Sequence, residues 1–288
     1  FWGVRGSTPC ANKENMRFGG NTMCLQVEIP GNKELLIFDC GTGFRNLGNH
    51  VKRTETPQKG RIFITHPHWD HLQGFSFFKP FYDAENHFQI YLPPQGSKGC
   101  EEILQGHMSS TFFPVSFDML EAQLNCETIQ PGMLNFEHYS VEYMWATHTV
   151  PTAIYKIKAH GKTLVFCPDN ELEHDDSAKV KSFKKRFRAF IHGADVLIHD
   201  AQYNRKQYAE KAGWGHSAWE DVVEMAADEN VQTLCLTHHD PDNNDVALAK
   251  MEEEVERTYA HHFNALYLAK EGQELSLPFG DAQTISAK

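Results

Sequence analysis

The chain has 288 residues, 41% apolar and 23% charged, and its 27 Lys and Arg against 38 Asp and Glu give a net charge of −11. This composition excludes a disordered chain, and no apolar run approaches the roughly 18 residues of a membrane span. The acidic balance argues against a broad nucleic-acid groove, because such grooves neutralise many phosphates with Lys and Arg. We therefore expect a folded protein without a membrane segment, whose anionic ligand, if it has one, is small.

The cysteine and histidine counts narrow the class of protein further. The 7 Cys are odd in number and scattered, with no C-x-x-C pair, which argues against a disulfide framework and against a cysteine zinc site. A reducing compartment fits best, so we predict a cytoplasmic location. The 17 His are the most unusual feature of the composition, and their arrangement decides what they can do.

Short apolar runs predict nine β-strands along the chain. These runs are Met23–Ile29, Glu34–Phe38, Arg61–Thr65, Phe88–Leu92, Val141–Thr147, Ala153–Ile157, Thr163–Phe166, Asp195–His199 and Thr233–Thr237. Helical spacing of apolar residues predicts helices at Ser177–Ile191, Ser217–Glu229 and Asn244–His261. No repeat or linker divides the chain, so we predict one α/β domain over residues 1–288, with 271–288 as a C-terminal tail.

The first predicted helix carries a run of basic residues between Lys179 and Arg188. Acidic residues at Glu173, Asp175 and Asp176 precede this run, and the helix dipole favours acid at the N-terminus and base toward the C-terminus. We therefore interpret the run as a solvated helix face, with attraction of a phosphate as the alternative.

The stretch that carries chemistry is Arg61-Ile-Phe-Ile-Thr-His66-Pro-His68-Trp-Asp70-His71. A predicted strand runs directly into four potential metal ligands within six residues, in the pattern H-x-H-x-D-H. Imidazole and carboxylate together suit Zn²⁺ and other first-row divalent ions, and a loop leaving a strand can direct alternate side chains at two ions. The pattern therefore predicts a metal site.

Two ions need more ligands than this loop supplies, and three further candidates lie later in the chain. His148, Asp169 and His238 each follow one of the predicted strands. The junction of strand and loop is where α/β scaffolds usually present functional side chains. A carboxylate can bridge two ions, which an imidazole cannot, so Asp169 is the candidate bridge.

With these residues in this order, the sequence resembles the metallo-β-lactamase superfamily. It looks most like the phosphodiesterase branch of that superfamily, which includes ribonuclease Z and cyclic-nucleotide phosphodiesterases. The supporting segments are Gly3–Ser7, Gly19–Thr22, Phe38–Gly43, Pro168–Leu172, His199–Gln202, Gly213–Ser217 and Thr237–Pro241. The resemblance implies an α/β fold of four αββα layers, with two mixed β-sheets and outer helices.

The resemblance also implies how the ligands are shared between two divalent metal ions. One ion would be held by His66, His68 and His148, and the second by Asp70, His71 and His238, with Asp169 bridging. His239 competes with His238 for the last place, and His238 is preferred because it directly follows the strand-ending Thr237. Zn²⁺ is the first expectation, while the same N and O ligands also accept Mn²⁺ or Fe.

Three further residues are candidates for roles around the ions. Asp39 either orients a ligating imidazole or belongs to an ordinary strand-to-helix turn. By resemblance, His216 would protonate the leaving oxygen and Asp200 would orient His216, and the alternatives are a capping-loop His and a structural carboxylate. Asp70 is counted with these two as catalytic as well as a ligand. Ser217 is predicted to N-cap the helix after His216.

The implied function is a metal-dependent phosphodiesterase that hydrolyses small phosphodiesters, above all cyclic nucleotides, by attack of a metal-bridging hydroxide. Its partner would be a small anionic phosphodiester rather than an extended nucleic acid, and a homodimer stays open. The alternatives are a nuclease resembling ribonuclease Z, a hydrolase of thioesters, lactones or β-lactams, and a metal-binding sensor without activity. After His148 the chain reads Thr149-Val-Pro-Thr152 where a Gly-rich turn is more usual, so the pocket wall is expected to differ there.

Aromatic residues crowd the motif and the segments after it. Those able to stack a nucleobase are Trp69, Phe75, Phe77, Phe78, Phe112 and Phe113, although most of them are expected in the core. Phe112 and Phe113 follow a polar turn at 109–111 and are candidates for a pocket wall, either mobile or contributed by a partner.

Overall fold

The computed structural model describes residues 1–51, 57–172, 177–279 and 283–287. Its strands are β1 (Leu25–Glu28), β2 (Leu35–Phe38), β3 (Lys59–Phe63), β4 (His87–Leu92), β5 (Gln123–Thr128), β6 (Gly132–Asn135), β7 (Ser140–Trp145), β8 (Ala153–Ala159), β9 (Lys162–Cys167), β10 (Val196–Asp200), β11 (Thr233–Thr237), β12 (Ala265–Leu268), β13 (Leu275–Phe279) and β14 (Gln283–Ala287). Its α-helices are α1 (Thr42–Val51), α2 (Trp69–Leu72), α3 (Cys100–His107), α4 (Ala178–Ile191), α5 (Arg205–Lys211), α6 (Trp219–Asp228) and α7 (Asp245–Tyr259).

The strands form two seven-stranded sheets. The first runs in the order β13-β14-β1-β2-β3-β4-β5, and the second in the order β12-β11-β10-β9-β8-β7-β6. In the first sheet β2 to β5 are parallel, and in the second β9 to β12 are parallel, while the remaining pairs are antiparallel. Both sheets are therefore mixed.

Alternate residues of the central strands separate the inner core from the two outer ones. Leu36 and Phe38 of β2 point into the core between the sheets, whereas Ile37 packs with Phe44 and Leu47 of α1 on the outside. The second sheet does the same, and its outer face is covered by the apolar sides of α4, α6 and α7. This period of two is the geometry of a strand buried on both faces. The predicted four-layer αββα sandwich is confirmed.

All nine predicted strands are present, with ends shifted by no more than two residues. β5, β6 and β12 were not predicted; all three lie at sheet edges, and the side chains of β5 and β6 are mostly exposed. The segment 271–288, expected as a tail, contributes two strands in its described part, and β14 pairs with β1. Its few apolar residues alternate with polar ones too briefly to stand out in the sequence.

The basic run lies on α4, whose apolar face is buried while Lys179, Lys181, Lys185 and Arg186 are exposed. The acidic residues predicted to precede it, Glu173, Asp175 and Asp176, lie outside the described residues. Across the described ranges, none of the helices combines the length and the apolar character needed to cross a membrane.

Candidate metal centre

The candidate ligands lie where strands of both sheets end. Because β9, β10 and β11 are parallel neighbours, their carboxyl ends meet at one edge, and this brings together Asp169, Asp200 and His238. His66 and His68 follow β3 of the other sheet. The sandwich thus directs polar side chains from two sheets into one cleft.

Two hydrogen bonds hold the β3 loop against the second sheet. The buried Tyr155 hydroxyl donates to the carbonyl oxygen of Ile64 at 2.7 Å. The amide of Ala153 donates to the carbonyl oxygen of Thr65 at 2.9 Å. The segment immediately before His66 is therefore fixed to β8, and the first histidines of the motif cannot shift independently of the second sheet.

His66, His68 and His148 form what we call the three-histidine group. His66 Nε2 lies 2.8 Å from His68 Nδ1, and His148 Nε2 lies 3.2 Å from the same atom. Burial lowers the pKa of all three imidazoles, that of His68 to about 4. The rings are therefore neutral near pH 7, which is the state that binds a metal.

Asp70, His71 and His238, together with Asp169, form what we call the acidic group. Asp70 Oδ2 lies 3.1 Å from His238 Nε2 and 3.4 Å from His71 Nε2. Asp169 Oδ2 lies 2.9 Å from His71 Nε2, and its Oδ1 lies 3.3 Å from His238 Nε2 and 3.9 Å from His148 Nε2. Asp169 thus reaches both groups, which is the position that a bridging ligand requires.

Unsatisfied atoms in the acidic group fit a cation. His71 Nδ1 donates to Asp39 Oδ2 at 2.8 Å, so in the neutral ring Nε2 carries a lone pair that faces two carboxylates. His71 Nε2 and Asp169 Oδ2 are both buried without a hydrogen-bond partner. Burial lowers the pKa of His71, but Asp169 and Asp70 outweigh it and raise that pKa well above its ordinary value. Either a proton or a divalent ion must separate these charges, and the donor set suits divalent ions.

Residues behind the ligands fix the orientation of the imidazoles. Asp39 Oδ1 accepts from the Thr65 amide at 2.7 Å, and the Thr65 hydroxyl lies 3.1 Å from His66 Nδ1. Asp39 therefore holds His71 directly and His66 through Thr65. On the other side His238 Nδ1 donates to Gln202 Oε1 at 3.0 Å. Thr65 and Gln202 were not predicted, and only their proximity in sequence to His66 and Asp200 could have indicated them.

His216 and Asp200 lie beside both groups as a hydrogen-bonded pair. His216 Nδ1 donates to Asp200 Oδ2 at 2.8 Å, and the His216 ring stacks on that of His238 with centroids 4.9 Å apart. Asp200 is held in turn by the amides of Asn170 at 3.3 Å and Gln202 at 2.9 Å. Burial lowers the pKa of His216, but the Asp200 carboxylate outweighs it and raises that pKa to about 9. A protonated imidazole is the form that can give a proton to a leaving group.

Two predictions about neighbouring residues are resolved by hydrogen bonds. His239 Nε2 donates to the Ala269 carbonyl at 2.8 Å, so this ring points away from the cluster into which His238 projects. The prediction that Ser217 caps a helix is wrong. Ala218 is the N-cap residue of α6, and the Ser217 hydroxyl instead donates to the carbonyl oxygen of Asn170 at 2.5 Å.

Backbone strain is concentrated around the cluster. Ser7 has a φ of 62°, Asp39 of 62° and His238 of 60°, a region that residues with a Cβ rarely adopt. The Ser7 amide donates to Asp70 Oδ2 at 2.7 Å. At the adjacent Gly6, a Cβ would lie 2.3 Å from His238 Nδ1, so only glycine fits. The N-terminal loop is thus built closely against the acidic group.

The aromatic residues divide between core and surface. The expectation that most of the six lie in the core is wrong, since only Phe75 and Phe78 are buried and Phe113 is partly buried. Trp69 is 73% exposed, Phe112 78% and Phe77 49%. The sequence could not separate these two sets, because Trp69 begins a helix of only four residues and the others lie in short irregular or 3₁₀ segments without a clear period.

Comparison with known proteins places this geometry in a family. A family model described as a β-lactamase superfamily domain matches residues 35–239. The ribonuclease Z of Archaeoglobus fulgidus is 23% identical over 83% of this chain and 85% of its own length. The ribonuclease Z of Methanothermobacter thermautotrophicus is 24% identical with the same coverage of 83% and 85%.

Solved structures show the same fold. The metallo-β-lactamase fold protein YhfI from Bacillus subtilis superposes with a TM-score of 0.65 at 18% identity, covering 93% of this chain and 94% of its own. The short form of human tRNase Z gives a TM-score of 0.65 at 17% identity, covering 97% and 98%. The family match, the fold and the His and Asp cluster confirm the predicted class of metal-dependent hydrolase. The chain belongs to the metallo-β-lactamase superfamily.

Proposed function

We propose that this enzyme is a phosphodiesterase that hydrolyses small phosphodiesters, cyclic nucleotides in particular. The observation that carries the proposal is the buried His216–Asp200 pair beside the two ligand groups. An alkoxide such as a ribose oxygen leaves only with a proton, whereas a thiolate leaves without one. A hydrolase of thioesters would therefore leave this pair without a task.

The residues divide between holding metal ions and moving a proton. Two divalent ions, Zn²⁺ as the first expectation, would be held by His66, His68, His148, Asp70, His71, His238 and Asp169. Bound there, they supply a water of lowered pKa and offset the negative charge of the phosphate oxygens. Asp70 is kept in place by the amide of Ser7 as well as by His238.

Proton transfer falls to His216. Its Nδ1 proton is committed to Asp200, so Nε2 is the atom that protonates the departing oxygen. The bonds from the Asn170 and Gln202 amides to Asp200 fix the direction of its carboxylate. Asp200 thus orients His216 and maintains the pKa at which it carries a proton.

The size of the substrate is supported by charge and by the compact cluster. A protein of net charge −11 repels a long polyanion, while a small diester interacts mainly with the bound cations. A second candidate, processing of precursor tRNA, is favoured by the relatives, which are named ribonuclease Z. Both candidates use the same chemistry and differ in what lies around the scissile phosphate.

The test is a turnover panel on metal-loaded protein whose ions have been identified by elemental analysis. The substrates are 3′,5′- and 2′,3′-cyclic nucleotides, a chromogenic diester, a precursor tRNA and a thioester. We expect hydrolysis of the cyclic nucleotides and the chromogenic diester. Cleavage of the tRNA with no action on cyclic nucleotides would transfer the assignment to the nuclease, and turnover of the thioester alone would refute both.

The proton donor has its own test. His216→Ala should lower kcat on cyclic nucleotides by about 10²–10⁴-fold, the usual contribution of a general acid, without change in metal content. The matched control is His192→Ala, which removes an exposed histidine that follows the C-terminal end of α4 and pairs with Glu229, and it should leave kcat unchanged. Unaltered turnover of His216→Ala would remove His216 from the mechanism.

A further inference from the structure

An aromatic slot opens next to the metal centre between α2 and α3. We call it the aromatic slot, and its walls include Trp69, Gln73, Phe77, His107, Phe112 and Phe113. Its volume is about 350 Å³, within the range of small-molecule sites. Trp69 lies in the chain between His68 and Asp70, one candidate ligand of each group, so the slot adjoins the candidate metal centre at this residue.

One side of the aromatic slot is formed by packed residues, and the other side is open to solvent. The rings of Phe77 and Phe113 meet edge to face at 5.2 Å, and His107 ties α3 to α2 by donating to the Leu72 carbonyl. Trp69 and Phe112 are the two most exposed aromatic side chains among the described residues. Exposed rings over a packed floor form a surface on which a flat ligand can stack.

The composition of the slot decides its occupant. It is lined by eight described residues, none of them Asp, Glu, Lys or Arg, so it offers no Lys or Arg to pair with a phosphate. A stable dimer buries about 20–30 residues on each side, far more than this slot provides. A nucleobase presents two apolar faces and a polar edge that the Gln73 amide can meet.

We propose that the aromatic slot binds the nucleobase of a nucleoside-derived phosphodiester whose phosphate lies at the metal centre. This inference rests on the proposed function and narrows its substrate class to diesters that carry a base. Base stacking on aromatic side chains contributes about 1–3 kcal/mol, and about 1.4 kcal/mol is tenfold in affinity.

Gly106 in α3 allows the slot to be blocked without disturbing the fold. A Cβ at this position has no atom within 4 Å, and the residue has ordinary helical geometry. Gly106→Leu should fill the slot, while Gly106→Ala, the matched control, should not. Both replacements favour the helix over glycine, so neither should unfold the protein.

The kinetic test compares a cyclic nucleotide with 1-O-methylribose cyclic phosphate, which lacks the base. We expect Gly106→Leu and Trp69→Ala to raise KM for the nucleotide about tenfold and to leave the base-free diester within about twofold. Gly106→Ala should behave like the wild type, and Trp69→Phe, which keeps a smaller ring in the slot, should raise KM for the nucleotide less than Trp69→Ala does. Equal effects on both substrates, or no effect on the nucleotide, would overturn the slot assignment. If Gly106→Leu instead converted a dimer of the wild type into a monomer, with unchanged kinetics, the slot would be assigned to a second copy of the chain.

A binding measurement separates this inference from the proposed function. Adenosine, which has no phosphate, should quench the fluorescence of Trp69 in the wild type and not in Gly106→Leu, with Trp69→Phe defining the signal. If no diester is hydrolysed but adenosine binds in this way, the proposed function fails and the slot stands. If diesters are hydrolysed and adenosine does not bind, the slot assignment fails alone.

A second, independent observation concerns Glu171, a buried carboxylate that the mechanism does not use. Its Oε1 accepts from the Tyr208 hydroxyl at 2.7 Å and from the Gly213 amide at 2.6 Å, and its Oε2 accepts from the Gly215 amide at 2.9 Å. Two of these donors are backbone amides of the loop that ends in His216. The carboxylate therefore holds the loop from inside the protein.

The same loop contacts the three-histidine group. The Gly215 carbonyl accepts from His148 Nδ1 at 2.9 Å, and a Cβ on Gly215 would lie 2.2 Å from that nitrogen. Gly215 has a φ of 89° and Gly213 of 90°, which glycine adopts without strain. The loop is thus clamped between Glu171 on one side and His148 on the other.

We infer that Glu171 is a positioning residue that places His216 for proton transfer to the leaving oxygen. The inference rests on the proposed role of His216. Glu171→Gln replaces one accepting oxygen by an NH₂ group, which would face an amide donor and displace the loop. An alkoxide leaving group requires the acid, whereas p-nitrophenolate does not, so the two kinds of substrate separate positioning from general damage.

The test measures kcat of Glu171→Gln on both kinds of diester. We expect a loss of about tenfold or more with a ribose leaving group and less than about twofold with p-nitrophenolate, at unchanged metal content. Glu171→Gln combined with His216→Ala should be no slower than His216→Ala alone, because both act on one step. Equal losses on both substrates, or additive losses in the double variant, would overturn the inference. If the loss in His216→Ala did not depend on the leaving group, the proposed role of His216 as the acid would fail instead.

Discussion

The two halves of the metal centre use similar distances and opposite electrostatics. The three-histidine group contains only neutral imidazoles, whose pKa values burial lowers. The acidic group places two carboxylates against two imidazoles, and its carboxylate pKa values, which burial alone would raise, are held well below their ordinary range by His71 and His238. The three-histidine group thus offers neutral nitrogen donors to a metal ion, whereas the acidic group also offers negative charge.

Because of this difference, we expect the two groups to behave differently in the absence of metal. In the acidic group a proton on His71 can stand in for the cation, because Asp39, Asp70 and Asp169 all face that ring. Among the described residues no carboxylate lies within hydrogen-bonding distance of the facing nitrogens of the three-histidine group, Asp169 being 3.9 Å from His148 Nε2. We therefore expect the acidic group to keep its geometry in the apoprotein and the three-histidine group to relax.

The largest effect should come from removing the residue common to both halves. Asp169→Asn deletes the charge that reaches both groups, so we expect loss of bound metal from both and a fall in kcat/KM of more than about 100-fold, beyond the usual effect of an outer partner. Elemental analysis and turnover would measure it. Full retention of two ions per chain would show that Asp169 does not bridge.

A change confined to one half should be smaller and asymmetric. His148→Ala removes one of three imidazoles, so the three-histidine group should lose its ion while the acidic group retains one. Turnover should fall by at least about tenfold, and a metal titration should show one remaining site. Loss of both ions would mean that the two halves do not bind independently.

An intermediate effect is expected behind the acidic group. Asp39→Asn removes the carboxylate that orients His71, so the affinity of the acidic group for metal should fall by about 10–100-fold. Asp200→Asn is the matched control, because it changes a buried carboxylate that contacts His216 rather than a ligand, and its metal content should be that of the wild type. Competition with a chelator of known affinity would measure both variants.

The smallest expected effect is a difference in the number of protons that each group releases when it binds metal. At pH 7 the apoprotein carries a proton on His71, whose pKa is raised, and none on His68, whose pKa is lowered to about 4. Metal binding to the acidic group should release close to one proton and strengthen about tenfold per pH unit, while binding to the three-histidine group should release almost none. Calorimetry in two buffers of different ionisation enthalpy would measure this, and equal release at both steps would contradict the comparison.

That the candidate ligands cluster could be predicted, because metal chemistry needs unusual residue types at strand ends. The H-x-H-x-D-H pattern, His148, Asp169 and His238 all follow strands whose apolar runs are visible in the sequence. The choice of His238 over His239 followed from its place directly after Thr237, and the structure turns His239 to the Ala269 carbonyl. Residue type and position together were enough.

What could not be predicted depends on packing between distant segments. Thr65, Gln202 and Glu171 are ordinary residue types. Their roles arise only from the hydrogen bonds that the folded chain allows them to make. The exposure of Trp69 and Phe112 depends on how α2 and α3 pack, which no periodicity records. β13 and β14 lacked a signal for the same reason, since β14 joins the sheet by pairing with β1, and β13 by pairing with β14.

The strained backbone at Ser7, Asp39 and His238 has a consequence for the stability of the enzyme. A residue with a Cβ in this region costs on the order of 1–3 kcal/mol, and all three contact the metal centre or its partners. Replacement by glycine would relax the main chain while removing a side chain that the centre uses at Asp39 and His238. A search for heat-resistant variants would therefore tend to select inactive proteins at these positions. The strained main chain lowers the stability of the folded state, and it is retained because the candidate centre needs these side chains in this geometry.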